Sequence, residues 1–210
     1  MNSKTLLLLG AVGALAMASA EAQVYSVNAV GYVNTTLKPG FNLIANPLNA
    51  ANNSLGSILP APEEGTTVYK WTGAAYSISA FEFGAWSDAA LTLAPGEGAF
   101  VTNPTATDKT VTFVGDVMIG ALSNPVPAGF SMRSSMVPQA GGLTSVLGFP
   151  ATDGTIVYQY NGATQTYSID AVEFGSWGNS GANGPSLAVG EAVWISAPAA
   201  TTWSRTFSVN

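Results

Sequence analysis

Leu93–Val101 reads LAPGEGAFV, and 94 positions later Leu187–Ile195 reads LAVGEAVWI. This pair of segments shows that one module occurs twice in the chain. The offset grows only across the loops 162–166 and 179–184, where insertions are tolerated. Three further pairs recur in the same order, 89 to 91 positions apart: Gly40-Phe41 with Gly129-Phe130, Val68–Trp71 with Val157–Tyr160, and Glu82–Trp86 with Glu173–Trp177.

The duplication predicts three segments: a signal peptide at 1–22, a first β-module at 23–116 and a second copy at 117–210. Around Asp116-Val117 there is no Pro/Gly/Ser-rich linker. We therefore expect the two copies to pack closely or to share a sheet.

The first segment has the features of a secretory signal peptide. Lys4 precedes the apolar run Thr5–Met17, and the small-residue triplet Ala18-Ser19-Ala20 follows. This pattern predicts export, with cleavage before Glu21 or Gln23. No later stretch is apolar and long enough for a membrane-spanning helix, so the mature chain is expected in the periplasm, at the cell surface or outside the cell.

Short alternating segments punctuated by glycine and proline indicate the fold class. Turn signals stand at Pro39-Gly40, Pro95-Gly96 and Asp153-Gly154. Strands at this spacing predict an all-β fold of two tandem, pseudo-symmetric modules, each a β-sandwich or barrel-like. Helix is expected only as single turns near Ser54–Leu59 and Leu143–Leu147.

The two copies also predict which side chains share a strand face. Phe41 and Leu43 stay large and apolar in the second copy, whereas Ile44 is replaced by Arg133. Because side chains alternate along a strand, we expect Phe41 and Leu43 to point into the core. The same interpretation of Val68–Trp71 points its two aromatic residues inward.

One segment in each copy is apolar on both faces. Ala99–Val101 and Val193–Ile195 have no polar position, which is typical of central strands that are covered on two sides. Thr110–Phe113 and Ser204–Phe207 alternate, and they are expected to close each module as strands.

Composition excludes several classes of function. The chain has 6 Lys and Arg, 12 Asp and Glu, no His and no Cys. It lacks the basic surface that nucleic acids or anionic lipids require. Without Cys there is no disulfide or thiolate metal site, and without His the commonest general base is missing. Because no calcium-loop motif occurs either, we predict no cofactor, no metal and no nucleic-acid partner.

The order of motifs resembles a signature of exported β-modules, G-W-N-L-I-x-x-P-L, then V-Y-x-W, then W, then L-x-P-G-x-G-Y-W-V. The chain is similar to paralogous secreted proteins of unknown function from verrucomicrobial bacteria. This resemblance implies a β-rich exported product, and it implies no activity and no functional residues. The matching segments are Gly40–Leu48, Val68–Trp71, Trp86, Leu93–Val101 and, after the signal peptide, Tyr25–Val33; in the second copy Ser134–Pro138 departs from the pattern.

Trp86 and Trp177 are the first candidate site residues. Both occur in the duplicated Glu-Phe-Gly-x-Trp block, beside Glu82 and Glu173. Exposed indoles stack on sugar rings, and a neighbouring carboxylate binds sugar hydroxyls. The alternative is that both indoles anchor the core, as large aromatic side chains commonly do.

Acidic residues kept in both copies suggest a second candidate chemistry. Glu82 with Glu173, or Glu97 with Glu191, would support glycoside hydrolysis if the two carboxylates lay roughly 5–10 Å apart. Glu97 and Glu191 follow a turn glycine, so the simpler role is hydrogen bonding to turn amides.

The sequence therefore favours a non-enzymatic cell-envelope or extracellular protein that acts as a structural or adhesion module through surface contacts. The alternative is a carbohydrate-binding module that uses Trp86 and Trp177, and a weaker alternative is a glycoside hydrolase. The expected partners are a cell-surface glycan or a second copy of the chain, since weakly charged β-strands associate at their edges.

Overall fold

The computed structural model describes residues 29–209, and the predicted signal peptide at 1–22 lies outside the described residues. Within that range the chain forms sixteen strands and one short helix, which confirms the all-β class. The helix, α1 (Leu55–Ile58), is the first predicted helical turn. The second, at Leu143–Leu147, is a hydrogen-bonded turn that is not α-helical.

The first copy contains β1 (Val30–Leu37), β2 (Gly40–Ile44), β3 (Thr67–Trp71), β4 (Tyr76–Glu82), β5 (Ala85–Trp86), β6 (Ala99–Asn103) and β7 (Lys109–Asp116). Five of these strands form an antiparallel sheet in the order β2-β6-β3-β4-β5. The remaining two, β1 and β7, pair with each other along their full lengths.

The second copy contains β8 (Gly120–Val126), β9 (Gly129–Arg133), β10 (Gly141–Gly142), β11 (Ile156–Asn161), β12 (Thr166–Glu173), β13 (Ser176–Trp177), β14 (Ser186–Leu187), β15 (Val193–Ala197) and β16 (Thr201–Phe207). Its large sheet has the order β9-β15-β11-β12-β13, which repeats the first sheet strand for strand. β8 pairs with β16 as β1 does with β7, and β10 pairs with β14.

Each copy encloses its own hydrophobic core between the large sheet and the long strand pair. In the first copy, Val68 and Val101 of the large sheet pack in one cluster with Phe113 of β7. In the second copy, Val157 and Ile195 pack in another cluster with residues of β8 and β16. The large sheets are open, with unpaired edges, so the sandwich is the architecture observed.

The inward orientation predicted for Phe41, Tyr69 and Trp71 was wrong, and Leu43, which shares their face, is buried between the two copies. Ile44 and Val68 face the core of the first copy, while Phe41, Tyr69 and Trp71 lie on the opposite face. A period of two shows which residues share a face, but both faces of this sheet are apolar, so the period does not show which face covers the core. The predicted central strands were correct, since β6 and β15 each lie between two partners.

Two pairs of equivalent backbone hydrogen bonds join the copies. In each pair, the end of β2 or β9 bonds to the segment just before β15 or β6 of the other copy. The shared positions make the junction pseudo-two-fold symmetric. The bonds run from Ala45 N to Gly190 O (2.8 Å), Ala192 N to Leu43 O (3.3 Å), Ser134 N to Gly96 O (3.0 Å) and Gly98 N to Met132 O (3.2 Å).

A small third cluster fills this junction. Leu43, Met132 and Ala192 are buried there, and Phe100 packs against them. A Cβ on Gly98 would lie 2.7 Å from the Cβ of Ala192, so only one of these two equivalent positions has room for a methyl group.

Candidate functional site: an aromatic face shared by both copies

The structure buries both tryptophans that the sequence nominated for stacking. Trp86 is 9% exposed and Trp177 is 4% exposed. The indole Nε1 of Trp86 donates to the carbonyl of Leu59 (2.8 Å), and that of Trp177 donates to Thr144 Oγ1 (2.9 Å). Phe81 packs edge-on against Trp86. Rings held in this way offer no face to a ligand, so the stacking hypothesis is corrected in favour of the alternative, core anchors.

The two nominated carboxylates lie in different sheets. Glu82 ends β4 and Glu173 ends β12, and both side chains are exposed. Each lies six residues along its strand from a tyrosine near the junction, Tyr76 or Tyr167, which corresponds to about 20 Å. The fold therefore does not bring Glu82 and Glu173 into a common site, and it gives the hydrolase hypothesis no carboxylate pair there.

Glu97 and Glu191 make the turn contacts that the sequence predicted. Glu97 Oε2 accepts the amide of Ala94, and Glu191 Oε2 accepts the amide of Ala188, both at 2.8 Å. Each carboxylate thus closes the turn that leads into the central strand of its sheet.

The surroundings of these two glutamates differ in charge. Lys70 Nζ lies 2.8 Å from Glu97 Oε2, whereas in the second copy Gln159 Nε2 donates to Glu191 Oε1 at 2.7 Å. Burial raises the pKa of Glu191 above its ordinary value, although its hydrogen bonds from Ala188 and Gln159 act in the opposite direction.

The outer faces of the two large sheets carry a continuous aromatic network, five residues from each copy. Neighbouring rings lie 4.9 to 6.4 Å apart, mostly edge to face, and the contacts form a closed circuit. Such edge-to-face pairs are a favourable geometry for aromatic rings. The members, as equivalent pairs, are Phe41 with Phe130, Tyr69 with Tyr158, Trp71 with Tyr160, Tyr76 with Tyr167, and Phe100 with Trp194.

Strand register places the same row of side chains on both sheets. In the first copy Leu43, Phe100, Tyr69 and Ile78 lie opposite one another across four strands. The second copy repeats this row with Met132, Trp194, Tyr158 and Ile169. The face was therefore retained as a unit in both copies.

Much of this face is open to solvent. Phe41, Phe130, Tyr76 and Tyr167 are between 41% and 51% exposed, and Ile78 and its equivalent Ile169 are also exposed. A large exposed apolar patch is characteristic of an interaction site in a monomeric protein.

One part of the network forms a groove. It is shallow and open to solvent, with a volume of about 430 Å³, which lies within the usual range for ligand sites. Phe100 contacts Tyr160 of the other copy at 5.1 Å between ring centroids, so the groove spans the junction. Its walls are Phe41, Tyr69, Tyr76, Ile78, Phe100, Tyr160 and Tyr167.

On the other side of the junction the equivalent positions hold larger rings. Trp71 replaces Tyr160, and Trp194 replaces Phe100; their ring centroids lie 5.7 Å apart. Trp71 Nε1 also donates to the carbonyl of Phe130 at 3.1 Å. The pseudo-symmetry is therefore broken where the two copies meet.

The groove carries no charged side chain among its seven lining residues. Its titratable groups are tyrosines. Partial burial raises the pKa of Tyr76, Tyr160 and Tyr167 above the ordinary value, so these phenols stay neutral.

Gln165 covers the backbone edge beside the groove. Its Oε1 accepts the amide of Phe41 (2.9 Å), and its Nε2 donates to the carbonyl of the same residue (3.0 Å). The side chain thus occupies both groups that an incoming strand would use, and Tyr160 donates its hydroxyl to the same Oε1 (2.9 Å). An unprotected edge would invite strand addition.

A second pair of exposed aromatics stands at the hairpin tips. Phe83 is 99% exposed and Phe174 is 97% exposed, and both have φ near +54°, a left-handed conformation that costs most residues energy. Glu64 accepts the amides of Phe83 and Gly84, and so holds the first tip in place.

A polar cleft of about 520 Å³ lies between the copies and is lined by residues of both. Among its lining residues only Lys38 and Glu191 are charged. Both oxygens of Glu191 already accept hydrogen bonds, so the cleft does not hold the pair of carboxylates that glycoside hydrolysis uses. Among residues 29–209 no group of three or more acidic residues is placed to hold a metal ion.

The sequence comparison found most of the aromatic face but assigned it to the core. Phe41 and Tyr69 were noted as retained in both copies, and both were expected inside. Tyr76 and Tyr167 were missed; the signal for them was their equivalent place at the start of β4 and near the start of β12.

In the part of the chain that the structure describes, no helix is long and apolar enough to cross a membrane. No protein-family model matches the chain, and no curated protein and no solved structure matches it either.

Proposed function

We propose that the chain is an exported, non-enzymatic protein that acts through surface contacts, as a structural or adhesion module of the cell envelope or the cell exterior. The uncovered aromatic network carries this proposal. Ten rings packed in register across two sheets, with four of them exposed by two fifths or more, form a preorganised contact surface.

Two further observations support the non-enzymatic part. The nominated carboxylates Glu82 and Glu173 lie at the ends of separate hairpins, and Glu97 and Glu191 hold turn amides. Aromatic rings that already pack on one another lose little side-chain entropy on binding, which suits a contact surface.

The test measures adhesion of the mature chain, starting at Gln23, to envelopes isolated from the producing bacterium. In the face variant Tyr76→Ser with Tyr167→Ser, two exposed rings are removed, and we expect at least ten-fold weaker adhesion. The control variant Phe83→Asn with Phe174→Asn removes two exposed rings outside the network, and we expect it to adhere like the wild type.

The proposal fails if the wild-type chain does not adhere or if both variants lose adhesion equally. It also fails if the purified protein breaks down any envelope glycan or peptide with multiple turnovers. Circular dichroism of all three proteins establishes that the variants are folded.

A further inference from the structure

We infer that the aromatic groove at the junction binds a neutral polysaccharide, with sugar rings lying against its phenylalanine and tyrosine side chains. This inference rests on the proposed function, since it names the ligand class of the same surface. It moves the carbohydrate hypothesis from the buried Trp86 and Trp177 to residues that solvent can reach.

The shape of the groove suits a flat ligand with apolar ring faces. Phe41 and Tyr69 lie 5.8 Å apart, and Tyr69 and Tyr76 lie 6.2 Å apart, so successive rings offer surfaces in different orientations. The C–H groups of a sugar ring carry a slight positive charge, and the face of an aromatic ring is negative. Stacking is therefore favourable without any charged partner.

The electrostatics of the groove disfavour an anionic ligand. None of its seven lining residues is charged, and the chain carries a net charge of −6. An anionic glycan or an anionic lipid headgroup would meet no cation in the groove and a negative protein around it. A cationic ligand would meet no carboxylate among the lining residues, and only the negative faces of the rings would attract it.

The polar atoms of the groove favour a hydroxyl-rich ligand over an apolar one. Tyr69, Tyr76, Tyr160 and Tyr167 line the groove, and among their phenol hydroxyls that of Tyr160 already donates to Gln165 Oε1. An acyl chain or an apolar side chain would offer no partner to any of the other phenol hydroxyls that it covers, which is costly. Sugar hydroxyls both donate and accept, and so match them.

The covered edge of β2 argues against an extended peptide. Peptide recognition at a sheet commonly adds a strand through backbone hydrogen bonds. At Phe41, beside the groove, Gln165 already occupies the amide and the carbonyl. A ligand that needs side-chain stacking but no backbone pairing fits this edge better.

The broken symmetry predicts one such site in each chain. Phe100 and Tyr160 leave the groove open on one side, whereas Trp71 and Trp194 place two indoles at the equivalent positions on the other side. A stoichiometry of one sugar chain to one protein chain is therefore expected.

Isothermal titration calorimetry of the mature chain tests the inference with cellohexaose, xylohexaose, mannohexaose and chitohexaose as neutral probes. Hexagalacturonate is the anionic comparison. We expect at least one neutral hexasaccharide to bind with one site per chain and to change the fluorescence of the nearby Trp194, and we expect no binding of hexagalacturonate.

Three variants locate the site. Tyr76→Ser removes a stacking ring and should weaken binding at least ten-fold, whereas Tyr76→Phe keeps the ring and should weaken it less. The control Phe83→Asn with Phe174→Asn should bind like the wild type. The inference is overturned if no neutral hexasaccharide binds, if hexagalacturonate binds equally well, or if Tyr76→Ser binds unchanged.

Failure of this inference is distinguishable from failure of the proposed function. Envelopes are treated either with periodate, which oxidises glycans, or with protease. Adhesion that survives periodate and is lost after protease overturns the polysaccharide and leaves the surface-contact function standing. Adhesion that is lost after periodate but survives protease supports the polysaccharide. If the protein does not adhere even to untreated envelopes, the proposed function is contradicted.

Discussion

The two copies have the same strand order and the same register, yet they differ at the positions where they touch each other. Leu43, Phe100 and Tyr69 in one sheet correspond to Met132, Trp194 and Tyr158 in the other, opposite the same neighbours. Residues within a copy only need to fit their own sheet. Residues at the pseudo-two-fold axis meet their own equivalents, and two copies of one side chain cannot occupy one space.

Asn46 and Ser135 show how the same turn survives a change of residue. Asn46 Oδ1 accepts the amide of Leu48, two residues later, and Ser135 Oγ accepts the amide of Val137. Both side chains are buried and stabilise an equivalent loop. The departure of Ser134–Pro138 from the repeated motif therefore changes the chemistry of the loop but retains its turn.

The largest effect is expected from removing the buried indoles. Trp86→Ala and Trp177→Ala should each lower the free energy of unfolding by about 3–5 kcal/mol, because each opens a cavity in its own core. Urea denaturation measures both. Similar losses would show that the two copies use the residue equivalently, and a loss below about 1 kcal/mol in either would restore the stacking hypothesis for that copy.

The second largest loss of stability is expected from adding a methyl group at the pseudo-two-fold axis between the copies. Gly98→Ala places a methyl group 2.7 Å from the Cβ of Ala192, and such overpacking typically costs about 1–3 kcal/mol. The double variant Gly98→Ala with Ala192→Gly moves the single methyl group to the other copy. We expect it to recover most of the lost stability in thermal denaturation.

If Gly98→Ala alone is neutral, or if the double variant is no more stable than Gly98→Ala, the axis does not limit the space as the structure indicates. Ala192→Gly alone is the matched control, and it should lose less than Gly98→Ala because it only removes a methyl group.

Substitutions at the hairpin tips should have a smaller effect, and they should raise the stability of the protein. Phe83 and Phe174 are fully exposed and have a left-handed backbone conformation. Phe83→Asn and Phe174→Asn introduce asparagine, which adopts this conformation more readily than other non-glycine residues do. Each should raise the free energy of unfolding by about 0.5–1 kcal/mol. Phe83→Ala is the control, since it removes the ring without that preference; a loss of stability in both Asn variants would mean that the rings make stabilising contacts.

The smallest effect tests the difference in charge. Gln159→Lys gives Glu191 the cation that Glu97 has in Lys70. Because the pKa of Glu191 is raised in the folded protein, the folded state holds that proton more tightly than the unfolded one. Proton binding by Glu191 therefore stabilises the folded state fully below the ordinary pKa of 4.5. This stabilisation is lost as the pH rises through the pKa that Glu191 has in the folded protein.

Gln159→Lys should therefore stabilise the protein by about 0.2–1 kcal/mol at pH 7, and the gain should shrink as the pH falls below 4.5 and Glu191 takes up its proton. Urea denaturation at neutral pH and at a pH below 4.5 measures this. An equal gain at both would show that the new lysine does not act through the carboxylate, and Lys70→Gln is the reverse control.

Much of the fold was predictable because it depends on local pattern. The central strands around Phe100 and Trp194, the closing strands, and the turn role of Glu97 and Glu191 followed from alternation and glycine placement. The orientation of Phe41 was not predictable, since apolar residues lie on both faces of its strand. The candidate groove needed residues of both copies, such as Phe41 and Tyr160, that are distant in sequence.

The duplication, the all-β class and the set of residues that share a strand face follow from the amino-acid sequence, because they depend on repeats and on a period of two. Which of the two faces is covered depends on how the strands pack in three dimensions. The sandwich of each copy covers one apolar face of its large sheet, and the packing of the two copies covers only part of the other. The aromatic network therefore stays partly open, with Phe41, Phe130, Tyr76 and Tyr167 each exposed by two fifths or more.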